Sequence, residues 1–147
     1  MSCAKERLET RGVKDTKPAS LTLALPILRG AADESREELR DLWARLLAAA
    51  MDPSRQSYVR QGFAEAIQKM DPLDARVLNH TRNRVIAPKD RDTISAELGI
   101  SPDEFAVSLR NLTRIGTMID PFSQNPEITL GSELAPFGRE FLRVLMD

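Results

Sequence analysis

Apolar residues recur at helical spacing along most of the chain, which predicts a mainly α-helical protein. The first strong run predicts a helix over about residues 34–51, where Ser35 and Glu38 stand at capping-box spacing. Asp52-Pro53 ends this run, because a residue that precedes proline is driven away from the helical conformation. The apolar stripe of this helix must be buried, and its members are Leu39, Leu42, Trp43, Leu46, Leu47 and Ala50.

A second helical run covers about residues 57–70 and follows the first after a short turn. The two runs predict a helical hairpin that occupies residues 21–70. Residues 1–20 have almost no apolar period and carry five basic side chains, so we expect a flexible basic tail there.

Residues 71–147 show the order helix, short helix, turn and longer helix, which predicts a helix-turn-helix. The short helix covers about residues 92–98, and Gly99 closes it because glycine accepts the left-handed backbone conformation without strain. The longer helix begins at the capping residue Ser101 and stops at Gly116.

Two short β-prone runs follow at residues 117–119 and 128–130, and a turn-rich loop over residues 120–127 separates them. They predict a small two-stranded wing, and an amphipathic helix over about residues 136–146 then ends the chain. The expected fold is therefore an N-terminal helical hairpin followed by a winged helix-turn-helix with a C-terminal helix, packed as one compact unit.

Composition agrees with a folded protein, since 41% of the 147 residues are hydrophobic and 29% are charged. The single cysteine, Cys3, lies in the polar tail, and no apolar signal segment precedes it, so disulfides and secretion are not expected. The longest apolar run, residues 21–28, is far shorter than the roughly 20 residues that span a bilayer. We therefore expect a cytoplasmic protein without a membrane span.

The residues that usually carry catalysis are sparse and scattered. His80 is the single histidine, and no further metal-type ligand stands at ligand spacing from it. The seven glycines form no phosphate-binding loop, and the carboxylate pairs stand in the first turns of predicted helices, where the helix dipole favours negative charge. We therefore expect no metal, no cofactor and no enzymatic activity.

Nucleic-acid binding is a second possibility that the predicted helix-turn-helix raises. Its second helix carries side chains suited to base edges, and further basic residues precede it; the candidates are Arg82, Arg84, Arg110, Asn111 and Arg114. Asp103 and Glu104 stand where this helix would approach DNA, and residues 71–147 hold 9 Lys and Arg against 12 Asp and Glu, a net charge of −3. These charges favour a packing or protein-docking role over DNA binding.

One string in the first helical run is distinctive: Leu42-Trp43-Ala44-Arg45-Leu46-Leu47-Ala48-Ala49-Ala50-Met51-Asp52-Pro53. Phe63 and then Met70-Asp71-Pro72-Leu73-Asp74-Ala75 continue it. This pattern resembles the abortive infection alpha family, and the resemblance covers about residues 23–78. The motif residues are Leu42, Trp43, Leu46, Leu47, Met51, Asp52, Pro53, Leu73 and Asp74.

The resemblance implies a role in bacterial defence, in which an infected cell stops growing or dies before phage is released. It carries over no catalytic residue. We therefore expect a non-enzymatic protein that acts through protein–protein contacts and self-associates through the hairpin or the terminal amphipathic helix. The alternative is a winged-helix transcription regulator.

Overall fold

The computed structural model describes residues 21–82, 84–120 and 131–146. Within these ranges it contains seven α-helices and two short strands. In chain order they are α1 (Leu21–Asp33), α2 (Glu37–Met51), α3 (Gln61–Gln68), α4 (Pro72–Thr81), α5 (Arg91–Leu98), α6 (Pro102–Ile115), β1 (Met118–Ile119), β2 (Glu133–Leu134) and α7 (Pro136–Met146). The expected tail over residues 1–20, and the expected wing loop and strand beyond Asp120, lie outside the described residues.

The described chain forms two compact units. The first contains residues 21–69 together with residues 140–146, and the second contains residues 70–82, 84–120 and 131–139. Helix α7 therefore begins in the second unit and ends in the first.

The first unit opens with α1, a helix that the apolar periodicity did not predict. Proline lacks the N–H that an interior helical position donates, yet Pro26 lies inside α1. Packing compensates, since Ile27 is buried and Gly30 lies directly against the Trp43 indole. A Cβ atom added to Gly30 would come within 3.0 Å of three indole carbons, so glycine is required at this contact.

Helix α2 confirms the predicted buried stripe, since Leu39, Leu42, Trp43, Leu46, Leu47 and Ala50 are all buried. The predicted capping box is wrong, because α2 begins at Glu37 and its N-cap residue is Arg36. The Arg36 N–H and guanidinium both donate to the Glu34 carboxylate, so the local hydrogen bonds favour an extended residue 36 over a cap at Ser35.

The helix predicted over about residues 57–70 is present as α3, but it is shorter than predicted. A 3₁₀ turn covers Gln56–Tyr58, Val59 is extended with ψ 127°, and α3 starts only at Gln61. Val59 is buried, as its place in the apolar period predicts, but its backbone is extended and not helical.

The second unit confirms the three helices that the sequence predicted there, now α4, α5 and α6. Gly99 and Gly116 hold the left-handed conformation, with φ 72° and 94°. Strands β1 and β2 are antiparallel, with Met118 opposite Leu134. A further antiparallel bridge joins Ile86, between α4 and α5, to Ser132.

Helix α7 is amphipathic as predicted, and its apolar face is buried in the first unit. The rings of Phe141 and Phe63 meet edge to face, with centroids 5.5 Å apart and an interplanar angle of 87°. Leu142, Val144 and Leu145 are also buried. Other residues of the same chain cover this face. A second copy of the protein would therefore have to bind at a different surface.

Candidate interaction surface

Helix α6 starts from a strong local signal. The Ser101 hydroxyl accepts from the Glu104 N–H at 3.1 Å, and the Glu104 carboxylate accepts from the Ser101 N–H at 3.3 Å. Pro102 fills the first helical position, where a missing N–H costs nothing. Together these contacts define where the helix begins.

A buried carboxylate fixes the inner face of α6 to α4. Asp74 is 3% exposed, and it accepts hydrogen bonds from the Ser108 hydroxyl at 2.7 Å and the Asn111 amide at 2.6 Å. It also accepts from the Asp71 N–H at 2.9 Å, at the start of α4. A buried carboxylate with three donors holds the two helices in one register.

The outer face of α6 carries a short stripe of exposed side chains, which we call the α6 face: Asp103, Val107, Arg110 and Arg114. Their spacing of four, three and four residues places them in one line along the helix. Val107 is 70% exposed, the largest exposure among the large hydrophobic residues of the described ranges. An apolar side chain thus lies between a carboxylate and two guanidinium groups on an anchored helix.

The five residues proposed for DNA contact lie in different surroundings. Arg110 and Arg114 are exposed on the α6 face, whereas Asn111 is half-buried and donates its amide to Asp74. Arg84 donates to the Glu97 carboxylate at 2.9 Å, and Arg82 is half-buried at the end of α4. The structure therefore brings two of the five together on one exposed face.

His80 belongs to the same charged cluster as Arg84. Its Nε2 lies 2.7 Å from the Glu97 carboxylate oxygen that Arg84 also contacts. Hydrogen bonds from His80, and then from Arg84, hold the pKa of Glu97 below its ordinary value. The cluster joins α4 to α5 on the surface of the second unit.

The motif residues are mostly interior. Leu42, Trp43, Leu46, Leu47, Asp52 and Asp74 are buried, Met51 and Leu73 are half-buried, and Pro53 is exposed. Trp43 Nε1 is buried and has no hydrogen-bond partner among the described residues, so packing alone fixes the indole. The motif therefore encodes the interior of each unit, and the sequence missed Ser108 as a partner of Asp74.

Asp52 organises the turn that follows α2. Its carboxylate accepts from the Ser54 N–H and hydroxyl and from the Arg55 guanidinium at 2.8 Å. Burial by itself raises the pKa of Asp52, but these hydrogen bonds outweigh it and hold the pKa below its ordinary value. Arg55 also donates to the Val144 carbonyl at 2.9 Å, near the C-terminus of α7, where a cation is favourable.

The described residues contain no cluster of three or more His, Cys, Asp or Glu side chains that could hold a metal ion. None of the helices in the described ranges combines the length and the apolar composition that a bilayer-crossing segment needs.

Comparison with known proteins gives one finding. No curated protein matches the chain, and no solved structure does. The family model described as abortive infection alpha matches residues 3–145, which extends the sequence resemblance from about half of the chain to nearly all of it. The chain belongs to the abortive infection alpha family.

Proposed function

We propose that this protein acts in the abortive response of a bacterial cell to phage, through protein–protein contacts and without catalysis. Three polar clusters of the described residues support the proposal that the protein acts without catalysis, because each of them has a structural role. Asp74 joins α4 to α6, Asp52 closes the turn after α2, and Glu97 joins α4 to α5.

The observation that carries the proposal is the exposure of Val107 on the α6 face. A valine that is 70% exposed gains free energy when a partner covers it, since apolar surface leaves water. The flanking charged side chains of the α6 face would orient such a partner. Asp74 holds the helix from behind, so this face is pre-organised for contact.

A phage plaque assay tests the proposal in cells that express the protein. We expect Val107→Asp to abolish protection, because a carboxylate at the centre of the face prevents an apolar contact. The matched control is Val85→Asp, which alters another exposed valine outside α6. The proposal fails if Val107→Asp folds normally by circular dichroism and still protects as the unaltered protein does.

We also propose that the second unit is a winged helix. Three features support this assignment: the order α4, α5, α6, the antiparallel pair β1–β2 after it, and the bridge from Ile86 to Ser132. The bridge pairs Ile86, which lies between α4 and α5, with Ser132, which directly precedes β2. Ile86 thus takes the place that a third strand would have beside β2.

The alternative function, DNA binding by this winged helix, is favoured by the placement of Arg110 and Arg114 on the same exposed face. Arginine on that face could contact base edges or phosphates. We expect salt-dependent binding of duplex DNA that Arg110→Ala and Arg114→Ala weaken and that Arg40→Ala, an exposed arginine on α2, leaves unchanged. Absence of duplex binding at low salt would eliminate this alternative.

A further inference from the structure

The charges of the α6 face are arranged with opposite signs at its two ends. Asp103 lies in the first turn of α6, and Arg110 and Arg114 lie toward its C-terminus, with Val107 between. Asp103 and Arg114 are eleven positions apart, or about 16 Å along the helix axis. Neither forms a hydrogen bond or ion pair with another described residue, so both charges are available to a partner.

We propose that the α6 face binds the α6 face of a second copy of this chain, with the two helices antiparallel about a twofold axis. This inference rests on the protein-contact function proposed above and names its partner. An isologous dimer needs a surface that is complementary to itself after a twofold rotation. The α6 face has that property, since its acidic end would meet the basic end of the other copy.

The residue pairing follows from the spacing. With the twofold axis beside the middle of the stripe, Asp103 of each copy faces Arg114 of the other, and Val107 faces Arg110. Two ion pairs then form symmetrically, while each valine packs against the aliphatic stem of an arginine. A parallel arrangement would instead place Asp103 beside Asp103 and Arg114 beside Arg114, which repel each other.

The same charges disfavour duplex DNA as the occupant. Asp103 would lie against phosphates, and the second unit, residues 70–139, carries 8 Lys and Arg against 10 Asp and Glu, a net charge of −2. Asn111, which would read adenine, is engaged by Asp74. A second copy pairs each Asp103 with an Arg114, whereas DNA would leave Asp103 against a phosphate of the same charge.

One helix face is small for an interface. A helix of 14 residues is about 21 Å long, and a single pair of such helices buries less than the roughly 1,200–2,000 Å² of a standard stable interface. We therefore expect a weak dimer, with a Kd on the order of 10 µM to 1 mM, that weakens as salt is added.

Sedimentation equilibrium of the full chain, up to about 1 mM protein at low salt, tests the proposal by charge reversal. We expect Asp103→Arg alone and Arg114→Asp alone to weaken the dimer about tenfold, because each change turns two attractions into repulsions. The double variant restores both ion pairs with their signs exchanged, so its Kd should return to within about threefold of the original value.

The matched controls are Asp92→Arg, in the first turn of α5, and Arg40→Asp on α2; both alter exposed residues outside the α6 face and should leave the Kd unchanged. The proposal is overturned by a chain that stays monomeric, or by a dimer that the single reversals do not weaken. It is equally overturned if the double variant dimerises no better than the single ones. A monomeric chain whose plaque protection still depends on Val107 would retain the protein-contact function and reject this partner.

Discussion

The hydrogen bonds of Asp74 make a quantitative prediction about the second unit. Asp74→Ala removes the acceptor for Ser108, Asn111 and the Asp71 N–H. Ser108 is 2% exposed, so its unpaired hydroxyl costs about 1–3 kcal/mol, and loss of the bond at the helix start costs about 1 kcal/mol more. Asn111 is half-buried and regains water in part. We expect a loss of about 3 kcal/mol in the free energy of unfolding.

Urea denaturation followed by far-ultraviolet circular dichroism measures this loss. Fluorescence of Trp43, the single tryptophan, reports the first unit separately. Asp103→Ala is the matched control, since it removes an exposed carboxylate from α6 and should cost well under about 1 kcal/mol. Asn111→Ala in the Asp74→Ala background should cost less than Asn111→Ala alone, because the shared bond is already absent.

A loss below about 1 kcal/mol for Asp74→Ala would refute the reasoning, because it would mean that the buried carboxylate does not hold α4 and α6 together. Equal costs of Asn111→Ala in both backgrounds would refute the specific pairing of Asn111 with Asp74.

Three further changes have expected outcomes in the same unfolding assay. Gly30→Ala should destabilise the first unit by about 1–3 kcal/mol, since the new methyl group overlaps the buried Trp43; an unchanged midpoint would contradict that contact. The folded pKa of Asp52 lies below its unfolded value, so the ionised carboxylate stabilises the fold above about pH 4, and this contribution disappears as the pH falls through the folded pKa. We expect Asp52→Asn to flatten the acid side of the pH–stability profile. An unaltered profile would exclude the effect. Ser101→Ala should cost about 1 kcal/mol through the lost cap, whereas Ser35→Ala should cost nothing measurable.

The sequence predicted the second unit well where local signals determine the backbone. The cap at Ser101, the proline at the next position and the glycines at residues 99 and 116 each act within one helical turn. Such signals need no knowledge of the tertiary fold, and for this reason α5 and α6 agree with the prediction to within about one residue.

The first unit was predicted less well because packing overrides local preference there. Pro26 argues against a helix, yet the burial of Ile27 and the contact of Gly30 with Trp43 stabilise α1. Val59 fits a helical period, but it is buried in an extended conformation between a 3₁₀ turn and α3. Neither the helix α1 nor the extended backbone of Val59 can be predicted from the sequence of one or two helical turns alone.

In the candidate site, too, local signals could be predicted from the sequence and tertiary contacts could not. The sequence placed Arg110, Asn111 and Arg114 on one helix and could not separate their roles. Asp74 lies 37 positions before Asn111 in the chain, and the two meet only because α4 packs against α6. The three side chains look equally suited to DNA in the sequence. In the structure, the buried carboxylate of Asp74 binds Asn111, whereas Arg110 and Arg114 stay exposed.

The path of α7 has a consequence for synthesis on the ribosome. The first unit includes residues 140–146, which emerge roughly 75 residues after the rest of that unit. At about 5–20 residues per second, Phe141 is translated about 4–16 s after Phe63, and until then the apolar neighbours of Phe63 are open to water or to a chaperone. The core of the first unit can therefore be completed only after residues 140–146 have been synthesised, which is later than the synthesis of the whole second unit.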